Sequence, residues 1–73
     1  MLNKDIIISS EFITLAQLLK FADVISSGGQ AKDFLAQNTI VINGQNDNRR
    51  GRKLYPGDKV IVNNEICLTL TRN

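Results

Sequence analysis

The hydrophobic positions between Thr14 and Asn38 repeat with the period of an α-helix. One stripe comprises Leu15, Leu18, Leu19 and Ala22, and a second comprises Ala31, Phe34 and Leu35. Each stripe follows a capping-box sequence, Thr14-Leu15-Ala16-Gln17 for the first and Ser27-Gly28-Gly29-Gln30 for the second. The pattern predicts two short helices joined by a tight Ser/Gly turn. The second should end near Asn38, a residue that tolerates the left-handed conformation helix ends often need.

From Thr39 onwards the hydrophobic period changes to two, which predicts strands. Ile40 and Ile42 share one face, and in the segment from Glu65 to Thr71 the residues Ile66, Leu68 and Leu70 oppose Cys67 and Thr69. Two further strands are predicted at Ile6–Ile8 and Lys59–Val62, and tight turns at Asn43-Gly44, Pro56-Gly57 and Asn63-Asn64. We therefore expect an α+β fold in which two short helices pack on a small, mostly antiparallel sheet.

Composition restricts the function. The 73 residues are 42% hydrophobic and 22% charged, which predicts a single domain over residues 1–73 with a core too thin to enclose a deep substrate pocket. The absence of histidine and the single cysteine, Cys67, predict no catalytic residues, metal site, cofactor or small-molecule substrate. We expect a half-buried thiol, a cytoplasmic protein, and neither a signal peptide nor a membrane segment.

The positive charge is concentrated in one segment. Four cations lie within five residues, namely Arg49, Arg50, Arg52 and Lys53, and the nearest acids are Asp47 and Asp58. We expect this run to protrude as a basic arm and to bind phosphate, because guanidinium groups donate two parallel hydrogen bonds to such oxygens. The alternative is a solvated loop, but four uncompensated cations exceed what solubility requires.

The Gly28-Gly29 turn is a second candidate anion site, with Lys32 one helical turn further on. The alternative is a tight turn in which one glycine takes a positive φ. Gly28-Gly29-Gln30 also spells the tripeptide of peptide-release factors, but the capping position of Gln30 argues against catalysis. Tyr55 could stack on a base or pack under the Pro56-Gly57 turn.

The order of these elements resembles the S4 RNA-binding domain, over residues from about Ile13 to Val62. The resemblance rests on the order of the elements along the chain. A helix, a Ser-rich turn and a second helix are followed by the strand that ends in Val41-Ile42-Asn43-Gly44, the polar arm and Pro56-Gly57-Asp58. The segments 27–32 and 49–58 are similar to the free-standing, YaaA-like S4 proteins of bacteria. The resemblance implies the αL motif as the fold and an RNA contact surface comprising Lys20, Gly28, Gly29, Gln30, Lys32, Arg49, Arg50, Arg52 and Lys53.

The resemblance also implies a function. We expect a monomer that binds structured RNA, ribosomal RNA or a ribosomal particle, without catalysis, and that takes part in maturation of the large ribosomal subunit. No membrane partner is expected. The alternative is a protein–protein adaptor that uses the basic arm and a sheet edge.

Overall fold

A computed structural model describes residues 1–73 and contains seven strands and two α-helices. The strands are β1 (Leu2–Ile8), β2 (Ile13–Thr14), β3 (Ile40–Ile42), β4 (Gln45–Asn46), β5 (Lys53–Leu54), β6 (Lys59–Val62) and β7 (Ile66–Arg72). The helices are α1 (Leu15–Phe21) and α2 (Ala31–Gln37), and a single 3₁₀ turn, Gly28–Gln30, precedes α2. Neither helix is long and apolar enough to cross a membrane.

Five strands form the main sheet in the order β1-β7-β6-β3-β4, and β2 pairs with β5 in a separate two-stranded ladder. Every pairing is antiparallel except that of β1 with β7, in which Leu2 lies opposite Ile66 and Ile8 opposite Arg72. The predicted α+β fold with a mostly antiparallel sheet is confirmed. Strand β1 is longer than predicted, because pairing with β7 also orders the polar residues that precede Ile6.

The buried residues form one hydrophobic cluster of 16 side chains, none of them polar. The helical stripes and the inward faces of the strands supply it, as their periodicity predicts: the cluster includes Leu15, Leu18, Leu19, Ala31, Leu35, Ile40, Ile42, Val60, Val62, Leu68 and Leu70. Phe34 is half-buried against this core, and Cys67 is a half-buried free thiol. The amphipathic patterns therefore decide which face of each element is covered.

The start of α1 and the end of α2 both follow the predictions. The Thr14 N–H donates to Gln17 Oε1 at 2.9 Å, and the Gln17 N–H donates to Thr14 Oγ1 at 3.3 Å. Helix α2 ends at Gln37 with Asn38 as its C-cap, as predicted, and the backbone of Asn38 is extended, with φ of −131°, where a left-handed residue often closes a helix. Its side chain closes the helix instead, since Asn38 Nδ2 donates to the Phe34 carbonyl at 2.8 Å. The chain can then run directly into β3.

The three predicted turns are confirmed. Asn43 and Gly44 have φ of 51° and 87°, Asn63 and Asn64 have φ of 53° and 56°, and Gly57 has φ of 98°. Consecutive left-handed residues suit the twist of antiparallel strands, and asparagine and glycine adopt that conformation at low cost. These turns set the lengths of the strands that lead to the charged segment.

Candidate nucleic-acid interface

The segment 47–53, here called the basic loop, is fixed by backbone hydrogen bonds. The Asp47 N–H donates to the Ile40 carbonyl at 3.1 Å, and the Arg52 N–H donates to the Arg49 carbonyl at 3.1 Å, which closes a tight turn. Lys53 then enters β5, where it lies opposite Thr14 of β2. The prediction of a protruding arm is therefore wrong, because the segment is held against the body of the domain.

The basic loop also caps the first turn of α1. The Leu15 N–H donates to the Arg52 carbonyl at 2.9 Å, and the Ala16 N–H donates to the Arg50 carbonyl at 3.0 Å. The first N–H groups of a helix have no partner within the helix, so an external acceptor must satisfy them. The backbone of the loop supplies two such acceptors, and the position of Arg50 and Arg52 is thereby tied to the start of α1.

Asp47 is the acid that organises the cations. Its carboxylate accepts from Arg49 Nε at 3.0 Å, from Arg49 Nη2 at 2.7 Å and from Arg52 Nη1 at 2.8 Å. The Asp47 side chain is only 10% exposed, whereas that of Arg49 is 71% exposed. The expectation of four uncompensated cations is thus wrong for Arg49 and Arg52, although one carboxylate shared between two guanidinium groups still leaves residues 47–53 with a formal charge of +3.

Hydrogen bonds keep this carboxylate ionised. Those donated by the Arg49 side chain and by the Arg49 backbone N–H, with a smaller contribution from Arg52, hold the pKa of Asp47 far below its ordinary value of 3.8 despite desolvation. The same contact raises the pKa of Arg49. The charges of Asp47 and Arg49 are therefore constant throughout the neutral range.

Arg50 and Lys53 make no ion pair, and Arg50 shares a surface with the second helix. A shallow cleft of about 400 Å³ lies between α2 and the basic loop and is lined by Lys32, Leu35, Ala36, Asn48 and Arg50. The structure thus brings Lys32 and the basic run together, as the resemblance implies. Two cations facing one small cleft create a local positive field that attracts an anionic group.

Lys20 lies apart from this cleft. It is exposed in the last turn of α1, four residues beyond Ala16, whose N–H donates to Arg50. Residues four apart are about 6 Å apart along the axis, so Lys20 lies about one turn of α1 beyond the residues that the basic loop caps.

Gly28 and Gly29 are exposed, and the fold does not require glycine at either position. Neither has a positive φ, so the alternative of a tight turn in which one glycine takes a positive φ is wrong. A Cβ built at Gly28 would meet nothing within 4 Å, and one at Gly29 would meet only Ser27 Oγ at 3.9 Å. The two residues leave a bare stretch of backbone immediately before α2.

Gln30 has a structural role in that turn. Its Oε1 accepts from the Ser26 N–H at 2.7 Å, from Ser26 Oγ at 2.9 Å and from the Ser27 N–H at 3.3 Å. The side chain is therefore turned back on its own segment, as the capping pattern predicts. This geometry is unlike a catalytic amide presented to a substrate at the tip of a loop.

The sequence patterns did not reveal the role of Phe12. Its ring centroid lies 5.9 Å from that of Tyr55, with an angle of 48° between the ring planes, and Lys53 Nζ lies 4.9 Å from the Phe12 centroid. Tyr55 packs against Phe12 but stays 44% exposed. The contact depends on the pairing of β2 with β5, and strands of two residues have too few positions to show a period.

Comparison with known proteins agrees with this geometry. A family model described as "S4 domain" matches residues 6–69, which include both helices, the Gly28-Gly29 turn and the basic loop. A curated relative from Bacillus subtilis (strain 168), named "Probable ribosome maturation protein RlbA", is 60% identical over 55 residues, which are 75% of this chain and 78% of the relative. The resemblance drawn from the two helices and the charged segment is thereby confirmed, and the chain belongs to the S4 domain family.

Proposed function

We propose that the protein binds ribosomal RNA without catalysing a reaction, and that it acts in maturation of the large ribosomal subunit in the cytoplasm. Membership of the S4 family and the name of the Bacillus subtilis relative support RNA binding connected with the ribosome. The observation that carries the proposal is the cleft shared by Lys32 and Arg50 beside the basic loop.

The basic loop is suited to phosphate because its backbone is already fixed. Two of its carbonyl groups hold the start of α1, and Asp47 holds the guanidinium groups of Arg49 and Arg52. A side chain that is ordered before binding loses less conformational entropy when it contacts a ligand. Arg49 and Arg52 each retain N–H groups that Asp47 does not use, and these can donate to phosphate oxygens.

A salt titration tests this proposal. The basic loop has a formal charge of +3, and together with Lys32 it can neutralise about four phosphates. A plot of log Kd against the logarithm of the salt concentration should therefore have a slope of about 3 to 4. A fragment of large-subunit ribosomal RNA serves as the ligand, and binding is followed by fluorescence anisotropy. A response that is independent of salt would refute the proposal.

Charge-removing variants locate the interface. Arg50→Gln and Lys32→Gln should each weaken binding and lower the salt dependence by about one unit, because each removes one phosphate contact. The matched control is Lys59→Gln. Lys59 is exposed on β6, and because successive side chains of a strand point to opposite faces, it lies on the side of the sheet opposite Val60 and Val62, which face the core. An equal loss of affinity in all three variants would indicate unspecific attraction and contradict the assigned surface.

The subunit assignment requires an experiment in cells. Crosslinking followed by sequencing of the attached RNA, with gradient fractions analysed in parallel, should recover large-subunit ribosomal RNA from particles that precede the mature subunit. Recovery of small-subunit or unrelated RNA alone would contradict the assignment.

An adaptor function is the second candidate, and an apolar groove beside the edge strand β1 favours it. The groove is lined in part by Ile7, Phe12 and Phe21, and the side chains of Ile7 and Phe21 are more than half exposed. Such a groove could receive an apolar segment of another chain. This function predicts a stoichiometric protein partner that remains bound after RNase treatment and is lost in the variant Ile7→Ser.

A further inference from the structure

The ladder of β2 and β5 presents an aromatic pair on its outer face. Ile13 lies opposite Leu54 and Thr14 opposite Lys53, and the same antiparallel register continues to place Phe12 opposite Tyr55. Ile13 and Leu54 are buried in the core. Because successive side chains of a strand point to opposite faces, Phe12, Tyr55 and Lys53 share the face directed away from the core.

The Tyr55 ring is not needed for the turn that follows it. The turn is held by the backbone, since the Tyr55 N–H donates to Asp58 Oδ2 at 2.8 Å and the Asp58 N–H donates to the Tyr55 carbonyl at 3.0 Å. The Tyr55 hydroxyl makes no hydrogen bond within the chain. The ring contacts Phe12 at a tilt, and the residue remains 44% exposed, so part of the ring surface is available to a ligand.

The charge around the rings indicates the kind of ligand. Lys53 Nζ lies 4.9 Å from the centroid of Phe12, and Lys53 is the last cation of the basic loop. Arg50 and Lys53 are three positions apart in the sequence, so their Cα atoms are at most about 11 Å apart. An anionic polymer bound to the loop would therefore pass within one or two of its units of the exposed aromatic pair.

We propose that this outer face is a stacking site for an unpaired base of the RNA whose phosphates the basic loop binds. The inference rests on the proposed function and adds a contact to the bases. Every nucleobase has a flat π-face, so aromatic side chains beside cations bind unpaired bases with little sequence preference. The Tyr55 ring supplies the stacking surface, Phe12 packs against it across the ladder, and Lys53 provides the adjacent positive charge.

The intrinsic fluorescence of the chain offers a direct readout. Tyr55 is the only tyrosine, and the chain has no tryptophan. The variant Tyr55→Trp keeps a stacking ring and can be excited where the bases do not absorb. Titration with an oligoadenylate of about ten nucleotides, the site size typical of such surfaces, should quench its emission. An abasic RNA of equal length should still bind, by anisotropy of an attached dye, without quenching.

Substitutions then separate stacking from packing. Tyr55→Leu keeps an apolar contact with Phe12 but removes the ring, and it should weaken oligoadenylate binding at least about fivefold while leaving binding of the abasic RNA unchanged. Tyr55→Trp should bind oligoadenylate as tightly as the wild type. The control is Phe21→Leu, which removes a ring of α1 that is 56% exposed and should change neither affinity.

Several outcomes would overturn the inference. If Tyr55→Leu weakened the binding of oligoadenylate and of the abasic RNA equally, the ring would only maintain the structure of the loop. If the wild type bound oligoadenylate and the abasic RNA with equal affinity, the bases would make no contact with the protein. In both cases salt-dependent binding of ribosomal RNA would survive, so the proposed function would stand. Loss of that binding as well would refute the function and the stacking site together. If a protein partner, but not RNA, changed the emission of the Tyr55→Trp variant, the stacking site would be refuted and the face would belong to the adaptor function.

Discussion

Replacing Gly28 by alanine separates what the fold requires from what RNA binding requires. Gly28 has no positive φ, and a Cβ would meet nothing within 4 Å, so alanine fits without strain. Alanine also restricts the unfolded chain, which stabilises a protein by about 0.4–1 kcal/mol at such a position. In a domain of this size that gain raises Tm by about 2–6 °C.

The same methyl group should weaken RNA binding. If a phosphate approaches the bare backbone of Gly28 and Gly29, a Cβ on that open surface lies between the ligand and the N–H groups. We expect the affinity for the ribosomal RNA fragment to fall several-fold in Gly28→Ala, although the protein is more stable. Thermal unfolding followed by circular dichroism and anisotropy titration measure the two effects on one preparation.

A matched control comes from the turn after β3. Gly44 has φ of 87°, a conformation that is strained for alanine. Gly44→Ala should therefore lower the free energy of unfolding by about 1 kcal/mol, and with it Tm, and leave the RNA affinity unchanged. A lower Tm in Gly28→Ala would refute the conformational argument. A higher Tm with unchanged affinity would show that Gly28 does not contact RNA.

Three further predictions concern single side chains. Asp47→Asn should lower Tm at neutral pH, because it removes the ionised carboxylate that Arg49 and Arg52 share. The pKa of Asp47 lies below its ordinary value of 3.8, so the stability that the carboxylate contributes is present above about pH 4 and is lost as the pH falls further. Thermal unfolding at a series of pH values should therefore show the Tm difference from the wild type shrinking only below about pH 4. Leu54→Ala removes a fully buried side chain that anchors the basic loop, and urea denaturation should show a loss of about 2–5 kcal/mol; a loss below 1 kcal/mol would contradict the packing described. Gln30→Ala removes three hydrogen bonds to Ser26 and Ser27 and should lower the free energy of unfolding by about 1 kcal/mol. Neither this variant nor the wild type should hydrolyse peptidyl-tRNA. Hydrolysis by the wild type but not by the variant would restore the catalytic interpretation.

The helices and most strands could be predicted because their signals are local. The stripe beginning at Leu15, the capping pair Thr14 and Gln17 and the left-handed turn residues all lie within a few positions of the element they define. The parallel pairing of β1 with β7 has no such signal. It joins residues 64 positions apart through main-chain groups that every residue carries, and Asn3 to Asp5 add no apolar alternation to mark the strand.

The candidate site shows the same division. The four cations are evident in the sequence, and so is the proximity of Asp47 along the chain. That Arg49 and Arg52 share this carboxylate depends on the tight turn between them, which the backbone hydrogen bonds to the start of α1 hold in place. The contact of Phe12 with Tyr55 likewise follows from the short ladder of β2 and β5, whose pairing a periodic pattern cannot indicate.

The pairing of β1 with β7 also affects how the protein is made. Leu68 and Leu70 belong to the core, and β7 is the strand beside which β1 lies. During translation, β1 leaves the exit tunnel first and has no neighbour until residues 66–72 follow. Bringing such distant segments together costs about 4 kcal/mol of loop-closure entropy. Strand β1 therefore stays unpaired until β7 has left the ribosome, and until then Ile6 and Ile8 are exposed and can bind a chaperone.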